Sequence, residues 1–224
     1  MARVRLTVLL TLLFLAFTAF TAFPAFPADP AAPLSREQAR QSLSDTDAQV
    51  RRQAAIRLGE IGLMADTPAL RQALRDSDAD TRENAEHALW RIWERSGDQQ
   101  VDRLYQAGIE QMKGGESQQA IATFTRIIRL KPEFAEGWNK RATLYFLAGE
   151  YAKSLADCAQ VIKRNPYHFG ALAGYGQIYL RLEDYARARD FFQRALDANP
   201  NMDSVRLNIL LLEKLIEQRH RNMV

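Results

Sequence analysis

Three prolines, Pro132, Pro166 and Pro200, stand thirty-four residues apart. A fixed period of this length means that one structural unit recurs, and that each unit buries its apolar face only by stacking on the next. Each proline closes a short polar turn: Leu130-Lys131-Pro132, Arg164-Asn165-Pro166 and Ala198-Asn199-Pro200. The residue before a proline is pushed away from helical angles, so each turn marks the end of a helix. Other positions recur with the prolines. Gly108, Ala142 and Gly176 share one small position, and Ala120, Ser154 and Ala188 share another. Leu104, Trp138 and Leu172 share a large apolar one. Tyr145 aligns with Tyr179, Tyr151 with Tyr185, and Phe124 with Phe192 across Cys158. Small residues let the two helices of a unit lie close, while rings fill the space between units. Gly115 and Gly149 suit the turn within a unit. The third unit has Glu183 there and must turn without glycine.

A second period precedes the first. The run Leu43-Ser44-Asp45-Thr46-Asp47-Ala48-Gln49-Val50-Arg51 returns thirty-one residues later as Leu74-Arg75-Asp76-Ser77-Asp78-Ala79-Asp80-Thr81-Arg82. Ala54, Leu58 and Ile61 then match Ala85, Leu89 and Ile92, one stripe of a helix. Asp45 or Asp47, and likewise Asp76 or Asp78, can cap the helix that carries this stripe. The first helix of each unit is expected at about Ser35–Leu43 and Thr67–Leu74, with Pro68 at an early, tolerated position.

On these residues the later array resembles the tetratricopeptide repeat (TPR), with copies at 101–134, 135–168 and 169–202. The earlier array resembles the short bacterial HEAT repeat, with its Asp-x-Asp turn and following arginine. The stretch Asn165–Leu172 is similar to the inter-repeat turn of exported TPR proteins of α-proteobacteria. The resemblance implies an all-α, right-handed α-solenoid of helix pairs. Two HEAT-like repeats fill 35–96, three TPR repeats fill 97–202, and a capping helix occupies 203–224. It also implies a ladder of Asp–Arg contacts through Arg51 and Arg82. At the junction, Trp90 and Trp93 are expected to pack on the last HEAT-like helix or the first TPR pair, and Gly97-Asp98 to start the next helix. In the terminal helix Val205, Ile209, Leu212 and Ile216 form an inward stripe. Leu207, Leu210, Leu211 and Leu215 widen its apolar surface, which leaves self-association open.

Residues 1–28 read as an export segment. Arg3 and Arg5 precede a stretch from Leu6 to Ala28 with no charged residue. Either a signal peptide that is removed or an uncleaved anchor fits, followed by a Pro/Ala-rich spacer at 29–34. Both readings place the body in the periplasm or on the periplasmic side of the inner membrane.

Little in the chain suggests chemistry. The net charge is +3, and Arg3 and Arg5 supply two of those charges, so nucleic acid is not an expected partner. Cys158 is the single cysteine and sits at helical spacing among Leu155, Ala159 and Ile162, as a small buried hydrophobe would. His87, His168 and His220 lie far apart with no metal-ligand spacing. No phosphate loop or nucleophile elbow occurs. No enzymatic activity, cofactor or metal is expected. His168 is assigned a turn or packing role.

The TPR resemblance implies that the first helix of each pair lines a concave groove for a protein or peptide partner. Its groove positions are Tyr105, Ile109 and Met112 in repeat one; Asn139, Thr143 and Phe146 in repeat two; and Ala173, Gln177 and Arg181 in repeat three. Positions that hold a peptide's terminal carboxylate in some TPR proteins are Tyr105, Ile109, Lys140, Gly170 and Gly174 here. Only Lys140 could serve, and a clamp needs several donors. The expected function is therefore a non-catalytic interaction scaffold or adaptor of the bacterial cell envelope with a fairly neutral groove. A self-associating assembly protein, or an accessory subunit of an envelope enzyme complex, is the alternative.

Overall fold

A computed structural model describes residues 33–222. The export segment and most of the spacer lie outside the described residues. Among those described, all regular structure is helical. The N-terminal pairs are α1 (Arg36–Ser42) with α2 (Ala48–Ile61), and α3 (Thr67–Ala73) with α4 (Ala79–Trp93). The later pairs are α5 (Gln99–Lys113) with α6 (Ser117–Leu130), α7 (Ala135–Leu147) with α8 (Tyr151–Arg164), and α9 (Phe169–Arg181) with α10 (Tyr185–Ala198). Helix α11 (Asp203–Asn222) follows. No helix of the described residues is long and apolar enough to cross a membrane.

The N-terminal turns are organised by aspartate. Asp47 caps α2 by accepting the Gln49 N–H at 2.8 Å, and Asp78 caps α4 by accepting the Thr81 N–H at 2.8 Å. The first aspartate of each motif folds the turn itself: Asp45 accepts the Asp47 N–H, and Asp76 the Asp78 N–H. Arg51 then joins the two repeats, donating to both oxygens of Asp76 at 2.7 and 2.8 Å and to the Asp45 carbonyl. Of the expected Asp–Arg ladder, this rung at Arg51 is present. Arg82 makes the same bonds to its own turn, at the carbonyls of Asp76 and Ser77. Its next rung is Asn201, at 3.1 Å, in the turn before α11.

That rung shows how the chain is arranged. The N-terminal pairs fold back along the proline turns. Helix α4 passes these turns in reverse order. Arg82 meets Asn201, Glu86 accepts from Asn199, Trp90 meets His168 and Phe169, and Glu94 meets Tyr105 and Lys140. Asn201 also donates to the Leu74 carbonyl, and Arg71 lies over the Tyr167 ring. One apolar cluster accordingly contains Leu70, Leu74 and Leu89 together with Phe169, Phe192 and Leu212. Each such side chain, fully buried, favours the folded chain by about 1.5–3 kcal/mol. Trp90 and Trp93 pack as expected of core residues, but on the turn after the second TPR-like unit rather than on the first pair.

In the later array each second helix ends two residues before its proline. Lys131, Asn165 and Asn199 follow those helices with extended ψ of 75°, 89° and 102°. Within pairs, glycine meets phenylalanine. A Cβ on Gly108 would lie 2.7 Å from Phe124 Cζ, and one on Gly176 would lie 2.4 Å from Phe192 Cδ1. The middle pair differs: Ala142 faces a helix carrying Cys158 in place of the ring. Gly115 and Gly149 turn within their pairs at φ of 76° and 74°, and Glu183 takes the same left-handed region at φ 56°. Val205, Ile209 and Leu212 of α11 are buried, while Leu207, Leu210, Leu211 and Leu215 are exposed.

Candidate functional site

The first helices α5, α7 and α9 carry every groove position expected from the sequence. Four of them meet at one place. Asn139, Thr143 and Phe146 of α7 and Gln177 of α9 line a cavity of about 150 Å³ between the second and third units. Ala142, Ser154 and Cys158 form its floor, and Gly170 and Gly174 open its far wall. The cavity has a sequence cause. Where the neighbouring units place Phe124 and Phe192, this unit places Cys158, which is smaller. Close packing allows few voids, so a missing ring leaves space that its neighbours do not fill. Burial pushes the Cys158 thiol up to about 12, so it stays a neutral lining group.

The other expected positions fall elsewhere. Tyr105 is 1% exposed, and its hydroxyl donates to Glu94 at 2.9 Å. It is a core ring in contact with Phe124 and Phe134 and offers no surface, a correction to its expected place in the groove. Ile109 and Met112 pack partly against the core of the first unit. Lys140 is engaged by Glu94 at 3.2 Å and Glu136 at 3.5 Å. Arg181 is exposed, one turn beyond Gln177. Thr143 donates to the Asn139 backbone carbonyl at 3.0 Å.

Sequence reasoning did not find the group that orients Asn139. Glu136 and His168 are both fully buried. His168 Nδ1 accepts the Ala171 N–H at 3.1 Å, capping α9, so the ring proton sits on Nε2 and is donated to Glu136 at 2.5 Å. Asn139 Nδ2 donates to the other Glu136 oxygen at 3.0 Å. Burial would raise the Glu136 carboxyl, but His168, Lys140 and the Asn139 amide outweigh it and hold the group at about 2. Trp93 stacks on the imidazole at 4.6 Å, closing it from water. A chain of contacts thus runs from Tyr105 and Glu94 through Lys140 and Glu136 to the groove amide. The turn role expected for His168 holds. Its partnership with Glu136 joins two turns, and no spacing in the sequence signals it.

The arrangement offers side-chain amides, a hydroxyl and a ring around a shallow apolar hollow. Such a surface can bury one apolar side chain and pair with extended backbone. Among the described residues, no three His, Cys, Asp or Glu side chains cluster closely enough to hold a metal ion.

Comparison with known proteins agrees with this architecture. The tetratricopeptide repeat model matches residues 105–168 and 148–203, and the HEAT repeats model matches residues 28–90. A TPR repeat-containing protein of Rhizobium etli is 31% identical over 149 residues, which cover 66% of this chain and 73% of the relative. A small glutamine-rich tetratricopeptide repeat-containing protein of Dictyostelium discoideum is 25% identical over 115 residues, 51% of this chain and 34% of the relative. Among solved structures, the first TPR of Spaghetti (RPAP3) bound to an HSP90 peptide superposes with a TM-score of 0.52 at 21% identity, over 54% of this chain and 96% of that one. The Sgt2 TPR domain from Aspergillus fumigatus gives 0.52 at 21% identity, over 55% and 83%. At these identities the likeness is one of fold.

Proposed function

The chain belongs to the tetratricopeptide repeat family, and from that premise we propose that it is a non-catalytic scaffold or adaptor of the bacterial cell envelope that holds a partner's segment in its groove. The observation that carries this reading is the cavity between α7 and α9, where Asn139, Thr143, Phe146 and Gln177 converge around the space left by Cys158. Fold neighbours solved with HSP90 and HSP70 peptides support a peptide-binding groove in general. Their acidic peptide ends are not expected here, because Lys140 is already paired. The partner segment is extended, largely neutral, and inserts one apolar side chain.

The neighbouring units supply a test. Ala142→Gly with Cys158→Phe copies the packing of Gly108 on Phe124 and should fill the cavity without disturbing the fold. Photo-crosslinking in cells from a benzophenone at position 146 should capture one partner, and the double substitution should abolish that capture. Undiminished capture from a folded double variant would remove the cavity from the reading. N-terminal sequencing of the cellular protein tests the envelope location: a start near residue 29 means export and cleavage, and an intact start with membrane fractionation means an anchor.

A second reading has its own observation. Leu207, Leu210, Leu211 and Leu215 leave α11 with an exposed apolar side opposite the one buried on α10. Self-association through that side predicts a dimer in light scattering that Leu211→Glu converts to monomer. A monomeric wild-type protein at high concentration rules it out.

A further inference from the structure

A second cavity, of about 170 Å³, lies in the seam between the N-terminal pairs and the proline turns, away from the groove. Trp93 and Arg95 form one wall, Lys131, Glu133 and Phe134 another, and Arg164 with Asn165 the third. Two of these side chains carry donors that meet no acceptor. Trp93 is 4% exposed and its indole Nε1–H has no partner; Asn165 is 8% exposed and its Nδ2 has none. A buried donor left unpaired is unfavourable, so each of these two calls for an acceptor.

The charges around them have the same gap. Arg95 spends its guanidinium on the carbonyls of Gly59 and Gly62, at 2.6 and 2.7 Å. Arg164 spends its own on Pro132 and Gln160. Neither pairs with a carboxylate among the described residues. Lys131 lies 3.8 Å from Glu133, which also borders the cavity, and its charge acts on Asp98 as well. No side chain caps the start of α7, whose first residue, Ala135, also lines the cavity. Helix starts favour negative charge. Two orphan donors, two under-matched cations, Lys131 and an uncapped helix start therefore surround one small space, and Phe134 and Met64 give it apolar walls.

We propose that this seam cavity binds a carboxylate on a short apolar chain. The carboxylate takes the Trp93 and Asn165 donors and the charge of Lys131 and Arg164, and the chain lies against Phe134 and Met64. The site spans both arrays, so its occupant fastens the N-terminal pairs to the turns they pack on. This does not rest on the groove, and either site can fail alone.

The test is a titration of the full-length protein with butyrate, followed by the indole N–H resonances in ¹H–¹⁵N spectra, with Trp93 assigned from Trp93→Phe. Expected is a saturable shift of the Trp93 indole proton, absent with butyramide and at least tenfold weaker with inorganic phosphate. Trp93→Phe keeps an aromatic ring but removes the donor, its titration being followed by the backbone amides at the start of α7, and Lys131→Met alters a side chain outside the core. Each should weaken butyrate binding about tenfold, the value of one charge-assisted hydrogen bond. A leucine-terminated tripeptide, with free and with amidated end, identifies the source: tighter binding of the free form than of butyrate means a chain end, weaker binding a free small acid. No saturable shift, an equal shift with butyramide, or equal affinity in both variants overturns the proposal.

Discussion

In the N-terminal pairs, one repeat meets the next through a guanidinium: Arg51 grips Asp76 with two hydrogen bonds. In the first and third of the later pairs, helix meets helix through an absent Cβ: Gly108 admits Phe124, and Gly176 admits Phe192, while the middle pair is joined by Arg141 on Asp157. The first contact is directional. It fixes which turn lies over which, and the same arginine position continues to Asn201 when the next layer is no longer a repeat of its own kind. The second is steric. It tolerates no added atom, and where one ring is replaced, at Cys158, space opens that a partner can use. Charge lets two unlike arrays join at a seam, and close packing makes any departure within an array conspicuous. If that contrast is correct, the two regions should break differently.

The largest break is expected at Gly176. Gly176→Val places carbon within 2.4 Å of Phe192 and should cost about 3 kcal/mol, the upper range for overpacking. Gly176→Ala combined with Phe192→Cys copies the arrangement of Ala142 and Cys158 and should recover much of the loss of Gly176→Ala alone. Chemical denaturation of the single and double variants measures this. Additive costs would mean that the glycine and the ring are not a coupled pair.

Arg51→Met should cost less, about 2 kcal/mol, because it leaves the Asp76 carboxylate only 12% exposed and without its partner. The loss should appear in hydrogen exchange of α1 to α4 and spare α9 and α10. A uniform loss across the chain would mean that the N-terminal pairs have no local stability of their own.

Acid should separate the regions more gently. Arg36, against the burial that opposes it, holds Asp66 below the usual carboxylate range; Arg51 does so for Asp76 and Arg52 for Asp78. A carboxyl with a folded-state value below its unfolded value of about 3.9 contributes fully above that value. The contribution is lost as pH falls towards the folded value. Glu136, held at about 2, follows the same rule at the seam. Between pH 6 and pH 3, protection should fall in α1 to α4 and at the starts of α7 and α9, while the contacts of Gly108 and Gly176 persist. Equal loss in α5–α6 and α9–α10 would contradict the division.

The sequence made the steric array plain because its contacts are encoded at fixed spacing. Pro132, Pro166, Pro200 and the small positions each recur, and a recurring residue type reports a recurring environment. The Asp turns were legible for the same reason. What was not legible lies where the two periods meet. Glu136 and His168 occupy unlike positions in their repeats, and nothing in their spacing says that the later turn donates a hydrogen bond to the earlier one. Tyr105 had the spacing of a groove residue, but α4 lies beside it and Glu94 takes its hydroxyl. Four of the residues that line the cavity were named from the family resemblance. The cavity they share depends on Cys158, whose importance is visible only beside Phe124 and Phe192.

The smallest expected effect tests whether the steric array carries strain that the charged one does not. Glu183 is the one non-glycine residue at positive φ among the described residues, at 56°, where its counterparts are Gly115 and Gly149. A side chain there costs about 1–2 kcal/mol, partly offset by the extra freedom that glycine loses on folding. Glu183→Gly should therefore stabilise the protein by about 0.5–1 kcal/mol, a rise in Tm of about 1–4 °C for a chain of this size. Glu183→Ala separates strain from side-chain contact, because it keeps the Cβ and discards the carboxylate. If strain dominates, glycine gains and alanine does not. If alanine loses stability and glycine gains none, the Glu183 side chain makes contacts that match the cost of its backbone, and the third turn is held by a different device from the first two.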